Sequence, residues 1–255
     1  MITDLLILFA AGLLAGAMNA LAGGGSFVSF PAMILVGLPS VGANASSTVA
    51  LVPGTLASAI TYRTGAAGVG FRGLAGVSFG RVMAASVVGG LIGALLLLMT
   101  PVATFDAVIP WLLAFAALVF AFGRGVGAWL RARLRLGGWA LLPAQLLLGV
   151  YGGYFGGAVG IMMLAVWSLL DGADLKALNP TRTMVVSGMN GIAVLCFVLA
   201  GEVWWPQTLA MLAGGIAGGY GGARVGQILP ATLVRRMVIA VTIAMTLVFF
   251  KRAYL

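Results

Sequence analysis

Apolar residues run along this chain in long blocks, with polar residues gathered in short stretches between them. A spanning helix needs about 20 apolar residues. Six blocks come close to that length and predict helices over residues 45–62, 74–99, 106–123, 181–200, 207–229 and 232–250. Residues 5–37 are too long for one span. They carry three consecutive glycines, Gly23, Gly24 and Gly25, each costing a helix interior about 1 kcal/mol relative to alanine. This block predicts two half-helices, 5–22 and 25–37. Residues 139–170 predict a second broken pair, 139–158 and 161–170.

The broken pairs open two halves that match in order. Gly12, Gly16, Ala20 and Gly23 have counterparts in Gly149, Gly153, Gly157 and Gly160, at an offset of 137 (149 − 12). Asn44 and Thr48 match Asn179 and Thr183 at 135 (179 − 44). Gly89, Gly90, Gly93 and Pro101 match Gly218, Gly219, Gly222 and Pro230 at 129 (230 − 101). The expected organisation is a first transmembrane repeat at 1–123, a basic cytoplasmic connecting loop at 124–138 and a second transmembrane repeat at 139–255. The loop holds Arg124, Arg131, Arg133 and Arg135 and belongs inside by the positive-inside rule. Arg63 and Arg72 then also lie inside. If the second broken pair returns to the side it entered, Arg224, Arg235 and Arg236 lie inside; if it crosses, they lie outside. The first path gives each half a hairpin plus three spans, an odd number that inverts the second half. Inverted repeats with broken helices are a transporter architecture.

Composition supports the membrane reading. The chain has 255 residues, 62% hydrophobic and 7% charged, with mean hydropathy +1.15. A soluble domain carries about 25% charged residues. The fold class expected is therefore an all-α polytopic membrane protein built from two degenerate, inverted repeats. The Met-Ile-Thr-Asp start lacks a basic leader, so the first apolar block is expected to remain in the mature fold. The net charge of +9 comes from 14 Lys+Arg against 5 Asp+Glu. These cations sit mostly between apolar blocks, where they orient a membrane protein rather than bind nucleic acid. There is no histidine and one cysteine, Cys196. That excludes an intrachain disulfide, a haem, a His-based metal site and a Ser-His or Cys-His catalytic pair. Asp4, Asp106, Asp171, Asp174 and Glu202 fall at segment ends or in loops, leaving no mid-membrane acid for a proton relay. No enzyme activity, cofactor or metal is expected, and Met162 and Met163 read as packing.

Candidate chemistry gathers in two places. At the first break, interrupted backbone at membrane depth is tolerated only where protein buries it or a wet cavity receives it. Ser26 opens the second half-helix, so the N–H groups of Gly24, Gly25 and Ser26 converge there. With the helix dipole they form an anion site. Asn19, one turn before Gly23, offers its amide. The alternative is capping and packing. The matching positions of the second half, Gly160, Ile161, Met162 and Met163, carry no polar donor. The second place is the start of the following helix in each half: Asn44, Ser46, Ser47 and Thr48 against Asn179, Thr181, Arg182 and Thr183. Asn179 before Pro180 reads as an N-cap before an N1 proline. Capping alone accounts for Asn44 and Asn179, but not for the density of hydroxyls. Arg182 in a first helical turn opposes the dipole, and an anion offsets that cost; its guanidinium suits planar oxyanion contact. Otherwise it snorkels to lipid phosphates. Ser187 and Asn190 lie deeper on the same helix.

These residues resemble a known family. The opening GLLAGAMNALAGGGSFVSFPAMILVGLPSVGANASSTVAL is similar to the signature of the sulfite exporter TauE/SafE family of four-plus-four transmembrane transporters. The resemblance covers the glycine ladder, the GGG break, Pro31, the hydroxyl-rich helix start and a looser second copy. It implies a multi-pass transporter of the bacterial inner membrane for small anions such as sulfite, thiosulfate or organosulfonates. By the motif matches, Asn19, Gly23, Gly24, Gly25, Ser26, Ser46, Ser47 and Thr48 occupy the family's core positions, with Thr181, Arg182 and Thr183 as second-copy equivalents. The expected function is secondary transport, by export or facilitation, with the anion bound at midplane between the broken helices. The alternative is a passive channel for a small anion or neutral solute. The partners expected are the anionic substrate and membrane lipid, with homo-oligomerisation left open.

Overall fold

The computed structural model describes residues 2–21, 24–64, 73–133, 138–170, 175–225 and 231–254. Among them are ten α-helices and no strand: α1 (Ile2–Leu21), α2 (Ser26–Leu35), α3 (Ser40–Thr64), α4 (Phe79–Met99), α5 (Val102–Arg133), α6 (Leu141–Tyr154), α7 (Val159–Leu170), α8 (Leu175–Leu199), α9 (Trp205–Val225) and α10 (Ala231–Tyr254). Both halves break at glycine-rich steps, between α1 and α2 and between α6 and α7, but the second break lies at 155–158, one turn before the 159–160 expected, so that Gly160 falls inside α7. A run of small residues marks that a helix breaks without fixing the turn at which it does. Gly23 lies outside the described residues. So do the side chains of Asn179 and of most arginines used to weigh orientation: Arg63, Arg72, Arg124, Arg131, Arg133, Arg135, Arg224 and Arg235.

Helix starts differ from the sequence expectation. α3 begins at Ser40 and α8 at Leu175, earlier than the apolar runs at 45 and 181. Asn44 and Asn179 are therefore not N-caps but lie inside their helices, and Pro180 is an internal proline rather than N1. As the sixth residue of α8, Pro180 lacks the N–H that would otherwise bond the carbonyl of residue 176. Arg182 likewise lies seven residues into α8 (182 − 175), not in its first turn. The polar stretch misled because hydropathy marks where a helix enters lipid, not where its hydrogen bonding begins. α5 also continues through Arg133, since arginine, alanine and leucine are all strong helix formers.

The helices pair in a pattern with internal two-fold symmetry. α1 packs on α9 as α6 packs on α4; α3 meets α9 as α8 meets α4; α2 meets α10 as α7 meets α5. The pairs α3–α8 and α5–α10 map onto themselves. Exchanging each helix with the one five places along thus returns the same set. Glycine makes two of these contacts close enough for backbone to touch backbone. A Cβ at Gly16 would overlap the Gly215 carbonyl oxygen, and one at Gly153 would overlap that of Gly90. This geometry corrects one alignment of the halves. Gly90 is equivalent to Gly215, an offset of 125 (215 − 90), one helical turn short of the 129 read from sequence. A ladder of small residues spaced every turn looks the same after a one-turn slip.

The outside of the bundle is apolar. Four described stretches are long and apolar enough to cross a membrane: Ile2–Asn19, Phe79–Met99, Val102–Val119 and Pro180–Leu199. No more than 39% of any of them is buried within the protein, so most of their apolar surface faces outward, where lipid must cover it. Gly16→Ala and Gly153→Ala are expected to destabilise the detergent-solubilised protein by about 1–3 kcal/mol each, read as a lower melting temperature. Gly191→Ala, where an added Cβ meets nothing within 4 Å, is expected to melt no lower than the parent.

Candidate functional site

At the first break, α1 reaches back to hold the start of α2. The Gly25 N–H donates to Asn19 Oδ1 at 2.8 Å. Asn19 therefore accepts through its oxygen and caps α2, where the sequence reading had it donating. Gly25 fits because the approach is close: a Cβ there would overlap the Ala15 carbonyl oxygen and lie 2.8 Å from Asn19 Cγ. The first intrahelical bonds run from Phe27 N–H to the Gly24 carbonyl (3.2 Å) and from Val28 and Ser29 N–H to the Gly25 carbonyl (3.0 Å each). The N–H groups of Gly24 and Ser26 have no acceptor among the described residues. One of the three donors expected to converge is thus taken internally, and two remain.

The second break has a different construction. α6 ends at Phe155, and Gly156 adopts the left-handed conformation (φ +77°) that glycine takes without strain. Its N–H donates to the Tyr151 carbonyl. Gly156 stands where the 137 offset places Asn19 in the first half, but it closes the end of α6, whereas Asn19 holds the start of α2. α7 then starts at Val159, and Arg182 lies against its first turn. A Cβ at Gly160 would be 3.6 Å from Arg182 Cδ and 3.8 Å from Nε.

Two contacts reach the second break from the first half of the chain. Asn44 Nδ2, from α3 of the first half, donates to the Tyr154 carbonyl at the end of α6 (3.1 Å). The Phe30 ring, from α2, meets Phe155 edge-on at 5.8 Å between centroids. Phe30 also meets Phe105 and Phe249, and Phe155 meets Tyr151. The space between the broken helices is therefore packed with rings.

The other candidate residues divide. Ser47 Oγ and Thr48 Oγ1 both donate to the Asn44 carbonyl, and Ser187 to that of Thr183. Ser46 Oγ is drawn away from the breaks: it accepts the Trp204 N–H at 3.0 Å, tying α3 to the α8–α9 connection. Thr181, Arg182 and Thr183 each engage a partner. Asn190 Oδ1 is buried without one among the described residues.

Sequence reasoning missed a buried polar chain beside α7. Trp167 Nε1–H donates to Gln145 Oε1 (2.8 Å), Gln145 Nε2 to Ser86 Oγ (2.8 Å), and Ser86 to the Val82 carbonyl (2.7 Å). It joins α7, α6 and α4. The one available signal was glutamine inside an apolar block. At the 137 offset, Gln145 and Trp167 correspond to Leu8 and Phe30, so the first half has no such chain. Ser29, on α2, was missed as well; its hydroxyl is fully buried.

Comparison with known proteins fits this architecture. The profile of the "Sulfite exporter TauE/SafE" family matches residues 8–249. The chain belongs to the TauE/SafE family. This TauE/SafE protein is 31% identical over 246 residues to a "Probable membrane transporter protein" of Haemophilus influenzae, covering 95% of this chain and 93% of the relative. It is 26% identical over 241 residues to the "Probable membrane transporter protein YfcA" of Escherichia coli K12, covering 94% and 87%. It is 28% identical over 248 residues to the "Probable membrane transporter protein ORF9" of Sinorhizobium sp, covering 95% and 91%. No solved structure matches the chain. The protein is a multi-pass membrane transporter of the bacterial inner membrane.

The asparagines at the breaks are expected to answer differently to aspartate. Asn19→Asp keeps an acceptor for Gly25 and places negative charge at a helix N-terminus, so its melting temperature should stay near the parent's. Asn44→Asp loses its donor and sets a carboxylate against the Tyr154 carbonyl. Its loss should exceed the about 0.5–1.5 kcal/mol of a typical hydrogen bond, measured by thermal unfolding in detergent.

Proposed function

We propose that this TauE/SafE protein carries a small oxyanion, such as sulfite or an organosulfonate, through a site between its two broken helices. The observation that carries this reading is the convergence at the breaks. α2 and α7 each begin at an interruption, and Asn44 of α3 and Phe30 of α2 both reach the end of α6 at the second one. Free N–H groups and the positive ends of two half-helix dipoles are suited to negative charge. Arg182, beside the first turn of α7, brings a full positive charge in a form matched to oxyanion oxygens. The Ser26 hydroxyl supplies a directional contact. Ser47 and Thr48, whose protons go to the Asn44 carbonyl, and Thr181 and Thr183, which engage partners, would have to exchange those partners to reach the anion; Asn179 and Asn190 belong to the second set.

The internal symmetry suits an inverted repeat, the second half turned over in the membrane. Its two gates then open to opposite sides. The halves are not chemically equal: the first break offers Ser26 and backbone donors, the second offers Arg182. The bound anion is therefore shared asymmetrically. The rings packed around Phe30 and Phe155 leave no open pore among the described residues there, which suits a carrier that opens alternately. Export of an anion needs no coupling ion, because an interior-negative potential supplies about 2.3 kcal/mol per charge per 100 mV.

Purified protein in proteoliposomes is expected to exchange radiolabelled sulfite by counterflow, saturably. Arg182→Ala should reduce that flux by at least about tenfold, and Arg182→Lys less, since a point charge is kept while the planar fork is lost. Equal flux in the parent and in Arg182→Ala would sink the assigned site.

A further inference from the structure

Two buried serines, Ser29 and Ser40, have hydroxyls without a partner among the described residues; Ser40 opens α3 with no helical turn behind it, whereas Ser29 lies within α2. Helical serines and threonines inside lipid-embedded helices satisfy themselves by donating to a carbonyl three or four residues back. Ser47, Thr48, Thr55, Ser86, Ser187 and Thr208 all do so here, at 2.7 to 3.2 Å. Ser29 does not. It is 0% exposed, and its Oγ has no hydrogen-bond partner. The reason is local: the Gly25 carbonyl, its natural acceptor, already receives both the Val28 and the Ser29 N–H at 3.0 Å. The glycine break has used up the lone pairs on which a helical serine ordinarily rests.

An orphaned donor in a dry interior is costly and calls for a partner. The position suggests which. Side chains in a helix lean toward its N-terminus and cover the turn before their own Cα. Ser29 therefore lies over the turn made by Gly25 and Ser26, where the N–H groups of Gly24 and Ser26 also lack acceptors among the described residues. Among the described residues, three donors without acceptors share one end of α2. A ligand that brings only acceptors, with two or three oxygens on one small centre, satisfies all three.

We propose that the Ser29 hydroxyl is a binding group for the transported oxyanion, donating to one of its oxygens while the Gly24 and Ser26 N–H groups hold others. This deepens the reading given under Proposed function and rests on it. It also assigns to α2 a ligand contact one turn deeper than the GGG break itself.

The test is Ser29→Ala in the full-length protein, by thermal unfolding without anion and in titrations with sulfite, thiosulfate and methanesulfonate. Without anion, the variant is expected to melt at or above the parent, because an unsatisfied buried donor has been removed. With anion, it should need about tenfold more ligand for the same stabilisation, as loss of one charge-assisted hydrogen bond implies. Unchanged anion affinity overturns the proposal. A variant that melts lower or does not fold also overturns it, since the hydroxyl then has a structural partner. If the parent responds to none of the three anions, the oxyanion site itself falls, and Ser29 with it. A parent that binds while Ser29→Ala binds equally well rejects the Ser29 assignment alone.

Discussion

A helix interrupted inside a membrane exposes peptide groups that water cannot reach, and every one of them needs a partner. Much of this protein's architecture answers that constraint at two places. Asn19 folds back to take the Gly25 N–H, Asn44 crosses from the other half to cover the Tyr154 carbonyl, and Gly156 turns left-handed so that its own N–H closes α6. Among the described residues, the groups left at the start of α2 after these partners are counted are donors, while the second break has Arg182 against the start of α7.

The breaks can be held only because the helices around them approach closely. Glycines on α1 and α6 admit the backbones of α9 and α4, and those helices belong to the opposite half. Each broken pair is thus braced mainly by the half it does not belong to. The bracing differs in kind between halves. α7 is tied by hydrogen bonds through Trp167 and Gln145, whereas α2 rests on the Phe30 rings. Hydrogen bonds fix orientation and ring contacts permit sliding, so the two half-helices are mechanically unequal despite the symmetric pairing.

Hydropathy made the all-helical membrane class, both breaks and most helices legible, because those follow from local cost: lipid demands apolar length and three glycines end a helix. The helix starts were less legible. Asn44 and Asn179 look like caps by type, yet both sit inside helices whose first turns lie in a polar zone that hydropathy does not register. The alignment of Gly90 with Gly215 slipped by a turn because glycine periodicity carries no phase. Asn19, Asn44 and Arg182 stand out in the sequence, but their neighbours follow from the fold: Gly25 beside Asn19, Tyr154 across 110 residues from Asn44, and Gly160 of α7 beside Arg182. Ser29 and Gln145 gave almost no signal, since one polar residue in an apolar block looks alike whether satisfied, orphaned or bound.

The exchanged packing has a consequence for how this chain is made. Gly12 of α1 waits for Gly215 of α9, 203 residues later (215 − 12). At about 5–20 residues per second, a ribosome needs roughly 10–40 s to supply that partner. Throughout that interval the glycine face of the first helix lies open to lipid or to the insertion machinery, and no segment of its own half can close it. Synthesis of the last third of the chain is therefore the event that commits the first third to its final place.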